Sequence, residues 1–97
     1  MAGWIRFDEE SYYGFYEWYL TLAPALRSLI RAWREGVEYD PEGGPGAERF
    51  AVFTNGFERL EVFRVKFQVG FQCADIAYGF NRNRATLTFL AYDDHLA

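Results

Sequence analysis

The most regular pattern of hydrophobic and polar residues lies in the last third of the chain. Between residues 63 and 69, apolar side chains alternate strictly with Arg64, Lys66 and Gln68. A period of two is typical of a strand that buries one face. We therefore expect the apolar residues of this segment to face a core and the three polar residues to face outward.

Two further strands are predicted after this one. Residues 73–80 and 86–92 are rich in apolar and aromatic side chains. The polar segment 81–84 between them favours a turn, because its two asparagines tolerate left-handed backbone angles. The sequence thus predicts a contiguous antiparallel meander over residues 60–92.

A hairpin is predicted at the start of this sheet. The apolar run 50–53 is followed by a predicted turn over residues 54–56, in which Asn55 and Gly56 form a dipeptide that favours a tight turn between strands. In the strand that follows this turn, Leu60 and Val62 fall on the same face as the polar residues Arg64 and Lys66. The apolar face of that strand therefore changes sides near Val62. Either a β-bulge at that point or a first half buried on both faces explains the change.

Two helices are predicted before the sheet. The run from Trp4 to Phe7 favours a short strand, and Asp8 is a good N-cap for the helix that follows. Pro24 interrupts the helical pattern and suits the first turn of a second helix. The apolar residues at helical spacing are Tyr12, Phe15, Trp18, Tyr19 and Leu22 in the first helix, and Leu26, Leu29, Ile30, Trp33 and Val37 in the second. A loop rich in glycine and proline, residues 40–46, comes next.

The predicted fold class is α+β, with a short N-terminal strand and two helices packed on a C-terminal antiparallel β-meander. The chain has 97 residues, which suits a single domain over residues 1–97. Aromatic residues make up 21% of it, more than one small core readily hides. The surplus predicts either an exposed surface for a partner or a homodimer, or rings half-buried over an ordinary core.

Charge and composition exclude several classes of site. The formal net charge is −4, which argues against nonspecific nucleic-acid binding over the whole surface. Cys73 and His95 are the only residues of their types, so we expect no disulfide, no metal site and no cofactor. Asp93 to His95 are expected to form a solvated tail. The chain has no signal-peptide core and no apolar run of about 20 residues, which predicts a cytoplasmic protein without a membrane span.

Basic side chains are the remaining candidates for a functional site. Arg64 and Lys66 on the outward sheet face, with Arg82 and Arg84 in the turn, could hold phosphates and stabilise the charge that develops in phosphodiester cleavage. A solvated sheet face is the alternative interpretation.

A second basic row lies on the second helix. Arg27, Arg31 and Arg34 occupy a face other than the apolar one. They either bind a partner or pair with neighbouring acids such as Glu35 and Glu38.

Four segments carry a resemblance to a known family. They are residues 16–22, where Trp18 precedes the helix pair, the loop 43–46, the strand 60–65 and the strand-turn-strand 77–85. Their order resembles that of the RelE/ParE toxin superfamily, particularly its HigB-like or phage Gp49-like branch. The resemblance implies a toxin that cleaves messenger RNA on the ribosome and is neutralised by an antitoxin protein.

Particular residues are candidates for roles in either function. The resemblance carries over one position, Arg64, as catalytic. From their own chemistry, Lys66 is a second catalytic candidate and His95 is a candidate general acid or base. Arg82 and Arg84 are candidates for RNA contact. Trp18 and the helix arginines Arg27, Arg31 and Arg34 are candidates for partner contact. A second hypothesis, of a different class, is a noncatalytic protein-interaction module that binds a partner through its exposed aromatics.

Overall fold

The computed structural model describes residues 5–42 and 46–97 and has the predicted α+β architecture. Its elements are β1 (Arg6–Phe7), α1 (Glu9–Leu20), α2 (Pro24–Val37), β2 (Ala47–Asn55), β3 (Glu58–Val69), β4 (Gln72–Asn81) and β5 (Thr86–Leu96). The strands form one sheet in the order β1-β5-β4-β3-β2, antiparallel except where β1 pairs with β5. Trp4 and Gly43 to Pro45, which the predicted strand and loop included, lie outside the described residues.

The start of α1 follows from local hydrogen bonding. Asp8 caps the helix as predicted, since its carboxylate accepts a hydrogen bond of 3.0 Å from the backbone amide of Ser11. The Ser11 hydroxyl in turn accepts a 3.1 Å hydrogen bond from the backbone amide of Phe89. The cap therefore also fixes α1 against β5. Pro24 is the first residue of α2, where its missing amide hydrogen costs nothing.

Both helices pack on the sheet face that the alternation of β3 predicted. Phe63 and Val65 are buried on this side, and Phe15 of α1 stacks on Phe89 of β5 with ring centres 4.0 Å apart. Trp33 of α2 contacts the rings of Phe67 and Tyr78. One predicted core position is wrong, because Leu29 is 42% exposed. No helix in the described part of the chain is long and apolar enough to cross a membrane.

The buried Tyr78 ties the loop after α2 to the sheet. Its hydroxyl donates a 3.0 Å hydrogen bond to the backbone carbonyl of Pro41. Burial, with smaller contributions from the charges of Asp40 and Glu42, raises the pKa of Tyr78. The phenol therefore stays protonated and acts as a fixed donor.

Two strand connections are two-residue turns of the sequence Gly-Phe. Gly56 and Gly70 both adopt positive φ, at 63° and 60°, which glycine allows without strain. The first turn is thus Gly56-Phe57, whereas the predicted turn covered residues 54–56, of which 54 and 55 belong to β2. The aromatic residues of the two turns project into solvent, with Phe57 97% and Phe71 79% exposed.

The turn between β4 and β5 differs in detail from its prediction. The residue with positive φ is Ala85, at 50°, and neither asparagine is left-handed. The asparagines instead bond through their side chains. Asn81 accepts from the backbone amide of Arg84, and Asn83 donates to the carbonyl of Phe57.

The parity change in β3 reflects burial on both faces. Glu61, Val62 and Phe63 are all buried, and β3 pairs with β4 without a break in register. The bulge lies in the neighbouring strand, where Phe50 is the extra residue between Arg49 and Ala51. Of the two predicted explanations, burial of both faces is confirmed for this stretch, and no bulge lies in β3 itself.

The last strand is longer than predicted. β5 continues to Leu96, so residues 93–95 belong to the sheet and do not form a tail, although their side chains are exposed to solvent as predicted. Asp94 accepts a 2.9 Å hydrogen bond from the indole of Trp18, and the amide of Ala97 donates to the carbonyl of Phe71. Backbone pairing and this side-chain bond hold a segment whose own residues are mostly polar.

Candidate functional site

A cavity of about 220 Å³ lies between α1 and α2, and we call it the interhelical pocket. The ring of Phe15 and the side chain of Ile30 are almost completely buried at its base. Cavities that take a small molecule usually have about 300–1,000 Å³, so this volume suits one inserted side chain better than a cofactor. The pocket is lined by Tyr12, Phe15, Tyr16, Tyr19, Ile30, Arg31 and Arg34.

Helical spacing explains how the sequence builds this pocket. Tyr12, Tyr16 and Tyr19 recur at intervals of four and three residues along α1, so they share one face. Arg31 and Arg34 are three residues apart on α2 and share a face in the same way. The tyrosine spacing was the sequence signal for the pocket, and the prediction missed it because the rings were assigned only to a core or a surface.

Arg31 is held in the pocket by a phenol. Its Nε donates a 3.3 Å hydrogen bond to the hydroxyl of Tyr19, and that hydroxyl donates a 3.3 Å bond to the backbone carbonyl of Arg27. The bond from Tyr19, with smaller contributions from the charges of Tyr19, Glu35 and Tyr16, raises the pKa of Arg31. An arginine is cationic at neutral pH in any case. Among the described residues, no carboxylate lies within ion-pair distance of Arg31. One of its five donors is used, which leaves the terminal amino groups available to a ligand.

Arg34 is more fully engaged. It pairs with Glu38 at 3.2 Å, one helical turn away, and its guanidinium lies 5.9 Å from the ring centre of Phe7. The predicted alternative of pairing with neighbouring acids is therefore confirmed for Arg34. Arg31 forms no ion pair among the described residues, although the charge of Glu35 acts on it from farther away. The two arginines therefore differ in what they offer a partner.

The other two predicted partner contacts lie outside the pocket. Arg27 is half-buried, and only its backbone carbonyl takes part in the contact with Tyr19. Trp18 is half-buried against the ring of Tyr92, with ring centres 5.1 Å apart, and donates to Asp94. Both residues contribute to packing between elements.

The surface of α1 beside the pocket carries an exposed aromatic ring. Tyr16 is 45% exposed, while Tyr19 is buried. Tyr13 is 65% exposed but does not line the pocket. The aromatic surplus is therefore divided, since some of the rings form the core and others remain accessible, with Tyr16 next to Arg31. An accessible aromatic surface around a small pocket is typical of protein contact sites.

Three predicted catalytic residues share the sheet face opposite the helices, which we call the open face. The pairing register aligns Lys66 with Asp75, and Asp75 with Asp93. It also aligns Cys73 with His95. Arg64 occupies the same face as Lys66, two residues earlier in β3. The topology thus brings all three candidates to one face.

The distances on the open face separate these residues. Arg64 lies level with Ala91, two strands away in β5, and His95 is four residues farther along that strand. Strand geometry therefore places the Cα atoms of Arg64 and His95 roughly 16 Å apart. Arg64 pairs with Glu48 at 3.1 Å and stacks on the ring of Phe50 at 5.2 Å. Neither Arg64 nor Lys66 lines the interhelical pocket or three further cavities, which are lined in part by His95, Arg84 and Ile5.

His95 lies among carboxylates. Its Nδ1 is 3.7 Å from a carboxylate oxygen of Asp75 and 3.9 Å from one of Asp93. The prediction missed Asp75, because only the pairing of β4 with β5 reveals the contact. Within residues 5–42 and 46–97, no group of three His, Cys, Asp or Glu side chains is arranged to hold a metal ion.

The turn arginines are also bound to acids. Arg82 contacts Glu61 at 3.3 Å and Glu42 at 3.4 Å, and Arg84 contacts Glu58 at 2.6 Å. The hydrogen bond from Arg84, followed by that from Asn81, lowers the pKa of Glu58.

Distance also keeps the turn arginines apart from His95. His95 is nine positions from the start of β5, which corresponds to about 30 Å along an extended strand. The predicted phosphate-binding and catalytic residues therefore do not assemble into one site.

A scan against protein-family models, a search of curated proteins and a search of solved structures found no match to this chain.

Proposed function

We propose that this protein is a noncatalytic protein-interaction module whose interhelical pocket receives an acidic segment of a partner protein. One observation carries the proposal. Arg31 lies in an aromatic pocket, is positioned by Tyr19, and has no carboxylate among the pocket's seven lining residues. The arginine is therefore available to bind a carboxylate brought by a partner.

The pocket also limits the shape of that segment. Its volume of about 220 Å³ accommodates one apolar or aromatic side chain. The terminal amino groups of Arg31 at the pocket can then bond a carboxylate that follows this side chain closely in the partner. Charge-assisted hydrogen bonds of this kind contribute about 1.5–3 kcal/mol each. The expected ligand is an apolar residue flanked by Asp or Glu.

The electrostatics of the sheet support binding over catalysis. Arg64, Arg82 and Arg84 are each paired with a glutamate, and His95 lies close to two aspartates. An RNA phosphate would have to displace these carboxylates before the arginines could stabilise developing charge. The helix pair, in contrast, presents Arg31 without an ion pair among the described residues, and only the more distant charge of Glu35 acts on it.

A peptide-binding measurement tests this function. Fluorescent peptides that carry Leu or Phe next to Asp or Glu are compared with the same peptides carrying Asn or Gln, and binding is followed by fluorescence anisotropy. We expect the acidic peptides to bind and the amide peptides to bind at least tenfold more weakly. Arg31→Gln should weaken acidic-peptide binding at least tenfold, because one charge-assisted bond is lost.

The matched control is Arg27→Gln, which makes the same charge change on the same helix outside the pocket. It should leave peptide binding within about twofold of wild type. Equal losses of peptide affinity in the two variants would show a general charge effect and reject the interhelical pocket as the binding site. The proposal would also be rejected if none of the acidic peptides bound.

A second candidate function is a diverged RelE/ParE-like toxin, favoured by the presence of Arg64, Lys66 and His95 on one sheet face. Inducible expression in bacteria tests it. The toxin hypothesis expects growth arrest that Arg64→Ala relieves. Arg59→Ala, a neighbouring exposed arginine on β3, should leave the arrest in place. Unimpaired growth on expression of the wild-type chain rejects the toxin hypothesis.

A further inference from the structure

Two arginines line the interhelical pocket, and they differ in their ion pairing. Arg31 and Arg34 both line the cavity and lie three residues apart on α2. Residues at this spacing share a helix face, with Cβ atoms about 5–6 Å apart, so the two guanidinium groups can reach one ligand. A terminal nitrogen of Arg34 lies 3.2 Å from a carboxylate oxygen of Glu38, and each of these two side chains is only 28% exposed. Glu38 itself does not line the pocket.

A second contact holds the guanidinium of Arg34, because it lies 5.9 Å from the ring centre of Phe7. An aromatic ring attracts a cation without neutralising its charge. Within residues 5–42 and 46–97, Glu38 is the only carboxylate at ion-pair distance from Arg34. Neutralising Glu38 should therefore leave Arg34 beside the pocket, held by the ring and without an ion pair.

We propose that Glu38, by pairing with Arg34, determines which anion the interhelical pocket accepts, so that the pocket prefers a carboxylate to a phosphorylated side chain. This selectivity rests on the function proposed above, because it concerns the acidic residue of the partner that the same pocket binds. Glu38 is then a specificity determinant that does not itself touch the ligand.

The oxygens and charge of the two anions explain the selectivity. A carboxylate has two oxygens and one negative charge, and the terminal amino groups of one arginine can bond both oxygens. Arg31 alone therefore satisfies it. A phosphoserine carries a charge of about −1.5 to −2 at pH 7 and presents three acceptor oxygens. It needs a second guanidinium, and the one at hand, Arg34, is already paired with Glu38.

Fluorescence anisotropy with two matched peptides tests the selectivity. One peptide carries Leu followed by Glu, the other carries Leu followed by phosphoserine, and the rest of their sequences is the same. We expect wild type to bind the carboxylate peptide more tightly. Glu38→Gln keeps the size of the side chain and removes its charge. It should raise the affinity for the phosphopeptide, relative to the carboxylate peptide, by about threefold or more, because a charge-assisted bond to Arg34 becomes available. Glu38→Ala should cause the same change.

The matched control is Glu48→Gln, which removes a glutamate from its 3.1 Å ion pair with Arg64 on the sheet. It should leave the affinity ratio of the two peptides unchanged. A double-variant cycle then separates release of Arg34 from a general effect of charge. In an Arg34→Gln background no second guanidinium is available, so Glu38→Gln should no longer change the ratio. A change of equal size in that background, or in Glu48→Gln, would overturn the proposed role of Glu38.

The outcomes distinguish this selectivity from the binding function itself. If wild type binds the carboxylate peptide and Glu38→Gln changes the ratio by a smaller factor than expected, the selectivity is rejected and the binding function stands. Wild type that prefers the phosphopeptide leads to the same result. Wild type that binds neither peptide would reject the interhelical pocket as a binding site, and the selectivity with it.

Discussion

The Tyr19 hydroxyl accepts a hydrogen bond from Nε of Arg31 at 3.3 Å and donates one to the carbonyl of Arg27. A single phenol thus connects α1 to two turns of α2. The ring of Tyr19 is buried beneath this contact, while the guanidinium of Arg31 is exposed. The pocket arginine is therefore positioned by a residue that belongs to the hydrophobic core.

Removing the hydroxyl should affect both stability and binding. Tyr19→Phe retains the buried ring and deletes both hydrogen bonds, so we expect the free energy of unfolding to fall by about 1 kcal/mol. Acidic-peptide binding should weaken as well, because Arg31 loses its support. Urea denaturation and fluorescence anisotropy measure the two effects. Tyr13→Phe, an exposed tyrosine on the same helix, should change neither, and a fully stable Tyr19→Phe protein would contradict the prediction.

Glu61 predicts a pH dependence of stability. It is 4% exposed and contacts Arg49 at 3.0 Å and Arg82 at 3.3 Å. Burial by itself raises the pKa of Glu61, but the hydrogen bonds and charges of the arginines outweigh burial and lower it. A carboxylate with a lowered folded pKa stabilises fully above its unfolded pKa of about 4.3, and this contribution is lost as pH falls through the folded pKa.

Glu61→Gln should therefore be less stable than wild type at pH 7, by about 1–2 kcal/mol because charge-assisted hydrogen bonds are weakened. The difference should narrow as pH falls through the lowered folded pKa of Glu61, because the wild-type carboxylate then becomes protonated. Denaturant midpoints at pH 7 and at a series of acidic pH values provide the measurement. Glu48→Gln, at an exposed ion pair with Arg64, is the control and should show little change across the series. A gap of constant size for Glu61→Gln would refute the prediction.

The elements were predictable from sequence because their signals are local. The alternation around Arg64 identified β3 and its buried face, and Asp8 and Pro24 marked the starts of the two helices. Such patterns depend on which face of one element is buried. They need no knowledge of how that element meets its neighbours, so the order of helices and meander could be predicted without coordinates.

The missed features depend on contacts between distant segments. The polar end of β5 is ordered by a bond between Trp18 and Asp94, which are 76 residues apart. The pocket requires the tyrosine face of α1 to meet Arg31 of α2, and the crossing of two helices is not encoded in either pattern alone. The edge position of β2 likewise follows from the sheet order, which determines that Phe53 is exposed.

The Trp18 contact predicts a local effect on β5. Trp18→Phe deletes the hydrogen bond to Asp94 but retains a ring against Tyr92. Because the bond is exposed, the loss of global stability should be below about 1 kcal/mol. Amide hydrogen exchange should accelerate at residues 93–96 and remain unchanged at residues 87–89, which lie in the core. Peptide binding should be unaffected, since Trp18 does not line the pocket. Uniform acceleration along β5 would contradict this assignment.

Gly14 occupies a position in α1 where a methyl group has no room. A Cβ there would lie 2.6 Å from the hydroxyl oxygen of Tyr92. The Tyr92 ring cannot easily move, because it is packed between Trp18 at 5.1 Å and Phe15 at 6.0 Å. In wild type, Gly14→Ala should therefore destabilise the protein despite the greater helix propensity of alanine.

Deleting the Tyr92 hydroxyl should reverse the sign. In a Tyr92→Phe background the clash disappears, and Gly14→Ala should stabilise by about 0.5–1 kcal/mol, the usual helical preference for alanine over glycine. Gly36→Ala in α2 is the control, since nothing lies within 4 Å of a Cβ at that position. It should have the same effect in both backgrounds. Chemical denaturation of the four proteins in the Gly14 and Tyr92 cycle measures the coupling, which should exceed about 1 kcal/mol. Additive effects at Gly14 and Tyr92 would show that α1 lies farther from β5 than described.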